Sequence, residues 1–168
     1  MKFYTIKKGE HSTGNRIPVL TFSNTLSYKV RFNGTARYRT EKTTNMLDVN
    51  KLFGLSDKWT YHKTNSARFG WRYSPFTDKI QILAYVYSNG SRIIEHITNI
   101  DIDRTYEMRL TICDSSYNFL VKDNEHALYG TNLGRRESGV YSLKYRLFPY
   151  FGGDETAPHT ITIEMEKL

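Results

Sequence analysis

The sequence contains a single cysteine, Cys113, and this scarcity excludes two kinds of architecture. One cysteine can form neither an intrachain disulfide nor a Cys-based zinc site. Long apolar runs are also missing, because the most apolar stretch, residues 80–87, is far too short to cross a bilayer. The first residues lack the apolar region of a signal peptide. The chain is therefore predicted to be soluble, without membrane insertion and without a classical signal peptide.

Helical periodicity is absent as well. No long segment repeats apolar residues at 3.6-residue spacing, which disfavours helical bundles and α/β folds. What the sequence has instead is aromatic residues, at 14 %, and about eight to ten short alternating runs separated by turn residues. We predict an all-β fold, an antiparallel two-sheet β-sandwich of the jelly-roll (concanavalin-like) type, in one domain spanning residues 1–168.

Two Asn-Gly pairs, Asn33-Gly34 and Asn89-Gly90, each lie between alternating runs. Both residue types tolerate positive φ, so each pair predicts a tight β-hairpin. The region between them is less regular. Residues 43–65 are predicted to form a long loop with a helical turn at 48–54, packed by Leu52, Phe53 and Trp59. Residues 123–139 are polar and glycine-containing, and we expect a mobile loop there.

The C-terminal part has two alternating runs around a turn rich in Gly, Asp and Pro. The apolar parity predicts that Tyr145 and Leu147 face the core on the first run, and that Ile161 and Ile163 do so on the second. Asp154, Glu155 and His159 lie in the turn, where we expect them to shape the backbone rather than to bind Ca²⁺, which needs six to eight oxygen ligands.

The same parities predict a second, polar face shared by three of the runs. Its members combine cationic and phenolic side chains with one amide: Arg68, Arg72, Gln81, Tyr85, Tyr87, Lys144, Arg146 and Tyr150. Tyr rings stack on the apolar faces of sugars, and Arg forks bind carboxylates or sulfates. We predict that these eight residues bind a ligand, and that an acidic polysaccharide fits them. The alternative is an ordinary solvated sheet face.

The net charge of +7 permits attraction to any polyanion. Lys and Arg are spread along the chain rather than grouped in one basic run, which argues against nucleic acid as a partner. The five histidines form neither His-x-His nor His-Glu-x-x-His, so no metal and no cofactor are predicted. No catalytic residues can be identified, because triads assemble in space rather than in sequence.

Three short motifs resemble those of jelly-roll alginate lyases. Arg68-Phe-Gly-Trp-Arg72 looks like their Arg-x-x-x-Arg strand, Gln81-Ile82 like the start of their Gln-Ile-His motif, and Tyr150-Phe151 like their Tyr-Phe strand. The resemblance implies a related fold and contacts to a uronate carboxylate. Gly70 replaces the motif's Glu and Leu83 stands in place of the catalytic His, so lyase chemistry would need another base.

From about Leu26 onward the chain is also similar to small uncharacterised β-sandwich proteins of gut Bacteroides-type bacteria and their phages. The segments that carry this similarity are 50–56, 65–72 and 149–159. It implies a concanavalin-like sandwich and a virion or surface role, and it transfers no catalytic residues.

The function predicted from the sequence is non-catalytic, lectin-like binding of an acidic glycan in a phage particle or at a cell surface. One alternative is a structural virion decoration or assembly protein, whose partners would be other virion proteins or further copies of the chain. The second alternative is a polysaccharide lyase with an altered active site.

Overall fold

The computed structural model describes residues 1–14, 17–123, 126–134 and 142–168, without the side chains of residues 127–129. The described strands, in chain order, are β1 (Lys2–Ile6), β2 (Leu20–Thr21), β3 (Thr25–Phe32), β4 (Asn50–Ser56), β5 (Ser66–Ser74), β6 (Lys79–Ser88), β7 (Ser91–Asp101), β8 (Thr105–Ile112), β9 (Ser116–Asp123), β10 (His126–Gly134), β11 (Lys144–Leu147) and β12 (Ile161–Lys167). Two short 3-10 helices, Gly34–Ala36 and Thr43–Leu47, join β3 to β4.

The strands form two antiparallel six-stranded sheets. The first sheet has the order β1-β12-β3-β8-β9-β10 and the second has the order β2-β11-β4-β5-β6-β7. Their inner faces enclose a single large apolar cluster, in which Phe32 of the first sheet contacts Trp71 of the second with ring centroids 5.0 Å apart. The predicted all-β, two-sheet sandwich is confirmed. Within the described parts of the chain, no helix is long and apolar enough to span a membrane.

The Asn89-Gly90 hairpin is confirmed, because both residues have positive φ and they join β6 directly to β7. The Asn33-Gly34 hairpin is wrong. The Asn33 side chain instead accepts a hydrogen bond from the Thr35 backbone N–H and caps a 3-10 helix. Asx capping and a tight hairpin use the same residue types, and here β3 pairs with β8 and β12 rather than with the next segment.

The prediction of a long loop over residues 43–65 is wrong for the middle of this range, which forms a strand. Residues of the expected helical turn form β4, which pairs with β5 through a bulge between Lys51 and Phe53. The bulge puts Leu52 and Phe53 both in the core, a spacing that mimics a helical turn. Trp59, expected to pack that loop, is instead exposed. Residues 126–134 of the predicted mobile loop are β10, and 135–139 lie outside the described residues.

The two C-terminal runs do not pair with each other. β11 joins the second sheet between β2 and β4, whereas β12 joins the first sheet between β1 and β3. The core parity of Ile161 and Ile163 on β12 is confirmed. The connection crosses from one sheet to the other, and it places Tyr150 beside β4 through two backbone hydrogen bonds with Lys51, of 2.8 and 3.0 Å.

Candidate functional site

The centre of the site is the outer face of the second sheet, where β4, β5 and β6 run side by side. Arg68 on β5 lies directly opposite Tyr85 on β6 and opposite Gly54 on β4. Gly54 leaves room for the Arg68 side chain, since a Cβ at this position would lie 2.6 Å from Arg68 Cγ. The Arg68 stem therefore lies over the sheet, and its guanidinium carbon is 5.5 Å from the centre of the Tyr85 ring.

A cleft of about 530 Å³ opens over this face, and we call it the cationic cleft. Its walls come from β4 to β7, from the β4–β5 loop and from the segment after β11. The lining residues are Lys51, Tyr61, His62, Lys63, Arg68, Tyr85, Tyr87, Arg92, Tyr150, Gly153 and Asp154. Two Lys and two Arg side chains thus face one carboxylate, which makes the cleft attractive to anions.

Lys51 is the second cation at the Tyr85 ring, with Nζ 4.7 Å from its centre and 6.0 Å from the centre of the Tyr150 ring. Cations over tyrosine faces are stabilised by the ring quadrupole. Tyr150 is in turn stacked on His11, with centroids 5.2 Å apart and planes inclined by 6°. Lys51 is therefore held between two phenol rings on the floor of the cleft.

Burial changes the titration of three groups in the cleft. It lowers the pKa of Lys51 to about 8, with the nearby Arg68 charge adding to the effect. Burial also lowers the pKa of the Arg68 guanidinium. Burial and the Arg68 charge lower the pKa of His62 to about 4, so this imidazole is neutral at pH 7 and adds no charge.

Neither Lys51 nor Arg68 forms an ion pair among the residues that the structure describes. Arg68 is only 8 % exposed, and its Nε is buried without a hydrogen-bond partner in the described part of the chain. A buried cation is costly unless it is paired. Two desolvated cations beside one aromatic ring are therefore the main chemical feature of the cleft.

Four of the eight residues predicted from the sequence line the cationic cleft: Arg68, Tyr85, Tyr87 and Tyr150. Arg72 and Gln81 lie opposite each other on the same sheet face but outside the cleft. Arg72 donates one hydrogen bond to Gln81 Oε1 (2.5 Å) and one to the Leu47 carbonyl (2.9 Å). These contacts show how both side chains are held, and their predicted ligand-binding role stays a prediction.

Lys144 and Arg146 were predicted on the same face, and this placement is wrong. Arg146 pairs with Leu55, a core residue, and directly opposed residues share a face. Lys144 has the same parity, is fully buried and donates to the Ser142 carbonyl at 2.8 Å. Arg146 lines a separate cavity of about 590 Å³ with Tyr28 and Met165 of the first sheet. The parity of β11 is the reverse of the predicted one, so it is Tyr145 that turns toward the outer face.

Several cleft residues were not identified from the sequence. Lys51 belongs to the stretch interpreted as a helical turn, and Tyr61, His62 and Lys63 belong to the loop after it. The position of Arg92 could have been predicted from the hairpin turn that precedes it. A two-residue turn at Asn89-Gly90 pairs Ser88 with Ser91 and hence Tyr87 with Arg92, as the structure shows.

The turn that contains Glu155 has a structural role. The Glu155 carboxylate accepts hydrogen bonds from the backbone N–H groups of Glu41 and Lys42 and from the Asn45 amide, at 2.7 to 2.9 Å. The two backbone hydrogen bonds are the main reason why the pKa of Glu155 lies below its usual value. Among the residues that the structure describes, no group of three His, Cys, Asp or Glu side chains could hold a metal ion.

Solved structures share this fold. The alginate lyase from Klebsiella pneumoniae superposes with a TM-score of 0.62 at 9 % identity, over 86 % of this chain and 59 % of the lyase. Alginate lyase AlyC3 gives 0.61 at 12 % identity, over 99 % of this chain and 74 % of the lyase. A Saccharomyces cerevisiae protein described as functionally unknown gives a TM-score of 0.53 at 11 % identity, over 97 % of this chain and 81 % of that protein.

At these identities the similarity shows the fold and not the activity. The chain spans less than two thirds of the Klebsiella lyase. No protein-family model and no curated protein matches the sequence. The predicted resemblance to Bacteroides-type and phage proteins is not shown by these structures, so it stays a prediction, as do virion partners and self-assembly.

Proposed function

We propose that this protein binds an acidic glycan in the cationic cleft without cleaving it. The observation that carries the proposal is the pair of cations formed by the buried Arg68 and the half-buried Lys51, which have no ion pair among the described residues and share the Tyr85 ring. An incoming carboxylate or sulfate would supply the missing counter-charge. Its hydrogen bonds to the Arg68 fork would be charge-assisted, the strongest kind in a desolvated site.

The aromatic lining favours a sugar as the carrier of that anion. Tyr61 and Tyr150 are exposed in the cleft and Tyr87 is half-buried there, whereas Tyr85 is buried and supports Lys51 and Arg68. Rings of this kind pack on the C–H faces of pyranoses, while their hydroxyls bond to sugar hydroxyls. The fold shared with two proteins named alginate lyases supports an acidic polysaccharide as the class of ligand.

Calorimetric titration with a matched set of polymers tests the proposal. A polyuronate and a sulfated glycan should bind, a neutral glucan of the same length should not, and the affinity should fall as salt is added. An oligonucleotide of equal charge serves as the control for simple polyanion attraction. Equal affinity for the neutral glucan, or tighter binding of the oligonucleotide than of either acidic glycan, would overturn the proposal.

A second function is favoured by the pKa of Lys51, about 8, because a lysine that loses its proton near neutrality can act as a base. In an elimination, the Lys51 amine would take the proton from the carbon beside the uronate carboxylate. The C–O bond to the leaving sugar would break, a C=C bond would form, and a phenol such as that of Tyr150 would protonate the leaving oxygen. A rise in the ultraviolet absorbance of unsaturated uronate in the same titrations would replace the binding proposal with lyase activity.

The Lys51 titration predicts opposite effects of pH on binding and on stability. Binding needs the charged ammonium, so the affinity for the polyuronate should begin to fall as the pH rises past about 8. Unfolding restores the ordinary Lys pKa of 10.5, so between the two values the unfolded chain binds more protons. The free energy of unfolding should therefore rise with pH across this window.

Calorimetry and urea unfolding at several pH values on either side of 8 would measure both trends. The Lys51→Met variant is the control, since it keeps an unbranched stem beside Tyr85 but cannot titrate. Both pH trends should flatten in this variant. If Lys51→Met keeps the pH dependence of binding, another group controls it and Lys51 does not contact the anion.

A further inference from the structure

The β4–β5 loop, residues 57–65, is held by hydrogen bonds to itself and to other strands although it lies at the surface. The Asp57 N–H donates to the Asn65 carbonyl at 2.9 Å, and the Thr64 N–H donates to the Tyr61 carbonyl at 2.7 Å. Two side chains from other strands anchor it further. The Tyr117 hydroxyl donates to the buried Asp57 carboxylate at 3.0 Å, and the Tyr145 hydroxyl donates to the Thr60 carbonyl at 3.1 Å.

The loop keeps two consecutive non-glycine residues in the left-handed region, Lys58 at φ 51° and Trp59 at φ 53°. This conformation is costly for a bulky residue and persists only where the surroundings enforce it. The Thr60 N–H donates to the Asp57 carbonyl at 3.1 Å and closes this turn, in which the indole of Trp59 is 55 % exposed. Exposed apolar surface next to a polar cleft is a mark of ligand-binding grooves.

Trp59 is linked to the cationic cleft by its contact with the Tyr145 ring and by the loop that it shares with Tyr61. It contacts the Tyr145 ring at 5.7 Å with planes at 82°, an edge-on contact in which Tyr145 supports the indole without enclosing it. Burial raises the pKa of the Tyr145 phenol. The positive charge of Arg68 is near enough to oppose this shift in part. Tyr61, 61 % exposed, belongs to the same loop and lines the cleft. We call Trp59, Tyr61 and Tyr145 the aromatic shelf.

We infer that the aromatic shelf is a second sugar subsite, on which Trp59 stacks with a pyranose ring of the same glycan chain whose acidic group lies at Arg68 and Lys51. This inference rests on the proposed function. The shelf itself is uncharged, so it selects the C–H face of a ring rather than its acid group. The preferred ligand is therefore an acidic oligosaccharide long enough to cover both the cleft and the shelf, and a single acidic sugar would use the cleft alone.

The placement of the two tryptophans allows this to be tested by fluorescence. The chain has two Trp residues, of which Trp71 is fully buried and Trp59 is exposed. Acrylamide quenching therefore reports on Trp59. A uronate oligosaccharide should protect the emission from acrylamide, whereas the monomeric uronic acid at saturation should not.

The Trp59→Ala variant should bind the oligosaccharide about three- to tenfold more weakly and bind the monomer unchanged. Phe76→Ala is the matched control, because Phe76 has the most exposed aromatic side chain in the described part of the chain and lies in the β5–β6 turn at the other end of the sheet. It should leave both affinities as they are. The Trp59→Phe variant keeps an aromatic ring at this position, so it should retain most of the wild-type affinity for the oligosaccharide.

The outcomes separate this inference from the proposed function. If the oligosaccharide binds and Trp59→Ala binds it as tightly as the wild type, the shelf is not a subsite and the cleft alone is the binding site. If the wild type binds no acidic glycan, both proposals fail. If Trp59→Ala abolishes a concentration-dependent dimer seen by light scattering, the shelf is an interface between copies of the chain and the subsite is excluded.

Discussion

Replacing Arg68 by methionine should weaken the binding of an acidic glycan at least about thirtyfold, because truncating one partner of a buried charge pair typically costs 2–5 kcal/mol. Arg68 is the most buried cation of the cleft, and a guanidinium can hold a carboxylate with two parallel hydrogen bonds. Calorimetric titration of wild type and variant with the polyuronate, at one salt concentration, measures the effect.

The same substitution should not destabilise the fold. Arg68 makes no ion pair among the described residues, and its desolvated charge opposes folding. Methionine keeps an unbranched stem over Gly54 and removes the charge. The free energy of unfolding from urea titration should therefore be unchanged or higher. A variant that loses both binding and stability would show that Arg68 is a structural residue.

Arg72→Met is the matched control for Arg68→Met. Arg72 lies on the same strand and the same face, but it is bonded to Gln81 and to the Leu47 carbonyl outside the cleft. Losing these bonds should cost about 1 kcal/mol of stability and leave the glycan affinity within about twofold. If Arg72→Met weakens binding as much as Arg68→Met does, the binding surface extends along β5 and is not confined to the cleft.

Trp71→Ala should lower the free energy of unfolding by about 3–5 kcal/mol, the range for truncating a large aromatic core residue. Trp71 is fully buried at the inner face of β5, where it contacts Phe32 of the opposite sheet and the Tyr38 ring, with centroids 5.0 and 5.8 Å away. Removing the indole opens a cavity between the sheets directly behind the face that carries Arg68 and Arg72. Urea unfolding followed by far-ultraviolet circular dichroism measures the loss.

Trp71→Phe separates packing from hydrogen bonding at this position. The indole N–H is buried and has no hydrogen-bond partner in the described part of the chain. Phenylalanine removes this unpaired donor while keeping most of the ring volume, so the loss should be only about 1 kcal/mol. A loss as large as that of Trp71→Ala would mean that the N–H is satisfied in solution, for instance by a buried water.

The polar face of β5 and β6 was predictable because both strands are long and alternate without interruption. Arg68, Tyr85 and Tyr87 follow from that alternation, and the Asn89-Gly90 turn adds Arg92 by its register. β4 was not predictable by the same rule. Its bulge after Lys51 breaks the alternation, so a cationic residue of the cleft floor lay hidden in an apparently helical pattern.

β11 shows a different limit. This strand has only four residues, and its alternating pattern contains aromatic and aliphatic side chains on one parity and long cations on the other. Lys and Arg stems are apolar enough to line the inner side of a sheet, so the pattern alone does not decide which parity faces inward. The pairing of Arg146 with Leu55 on β4 decides which parity of β11 faces inward. A shift of one residue in this pairing would turn every side chain of β11 to the other face.

The order of residues by itself determined that the chain forms strands, that it forms a sandwich, and that Arg68 and two tyrosines share an outer face. These properties depend on a period of two residues, which is local and therefore visible in one dimension. Only the tertiary structure decided that Lys51 and Tyr150 join them, that Lys144 and Arg146 do not, and that Trp59 is exposed next to the cleft. Those facts depend on which strands pair and on how loops are anchored by distant residues. Such contacts link positions about a hundred residues apart or more, as between Lys51 and Tyr150 and between Lys144 and Thr21.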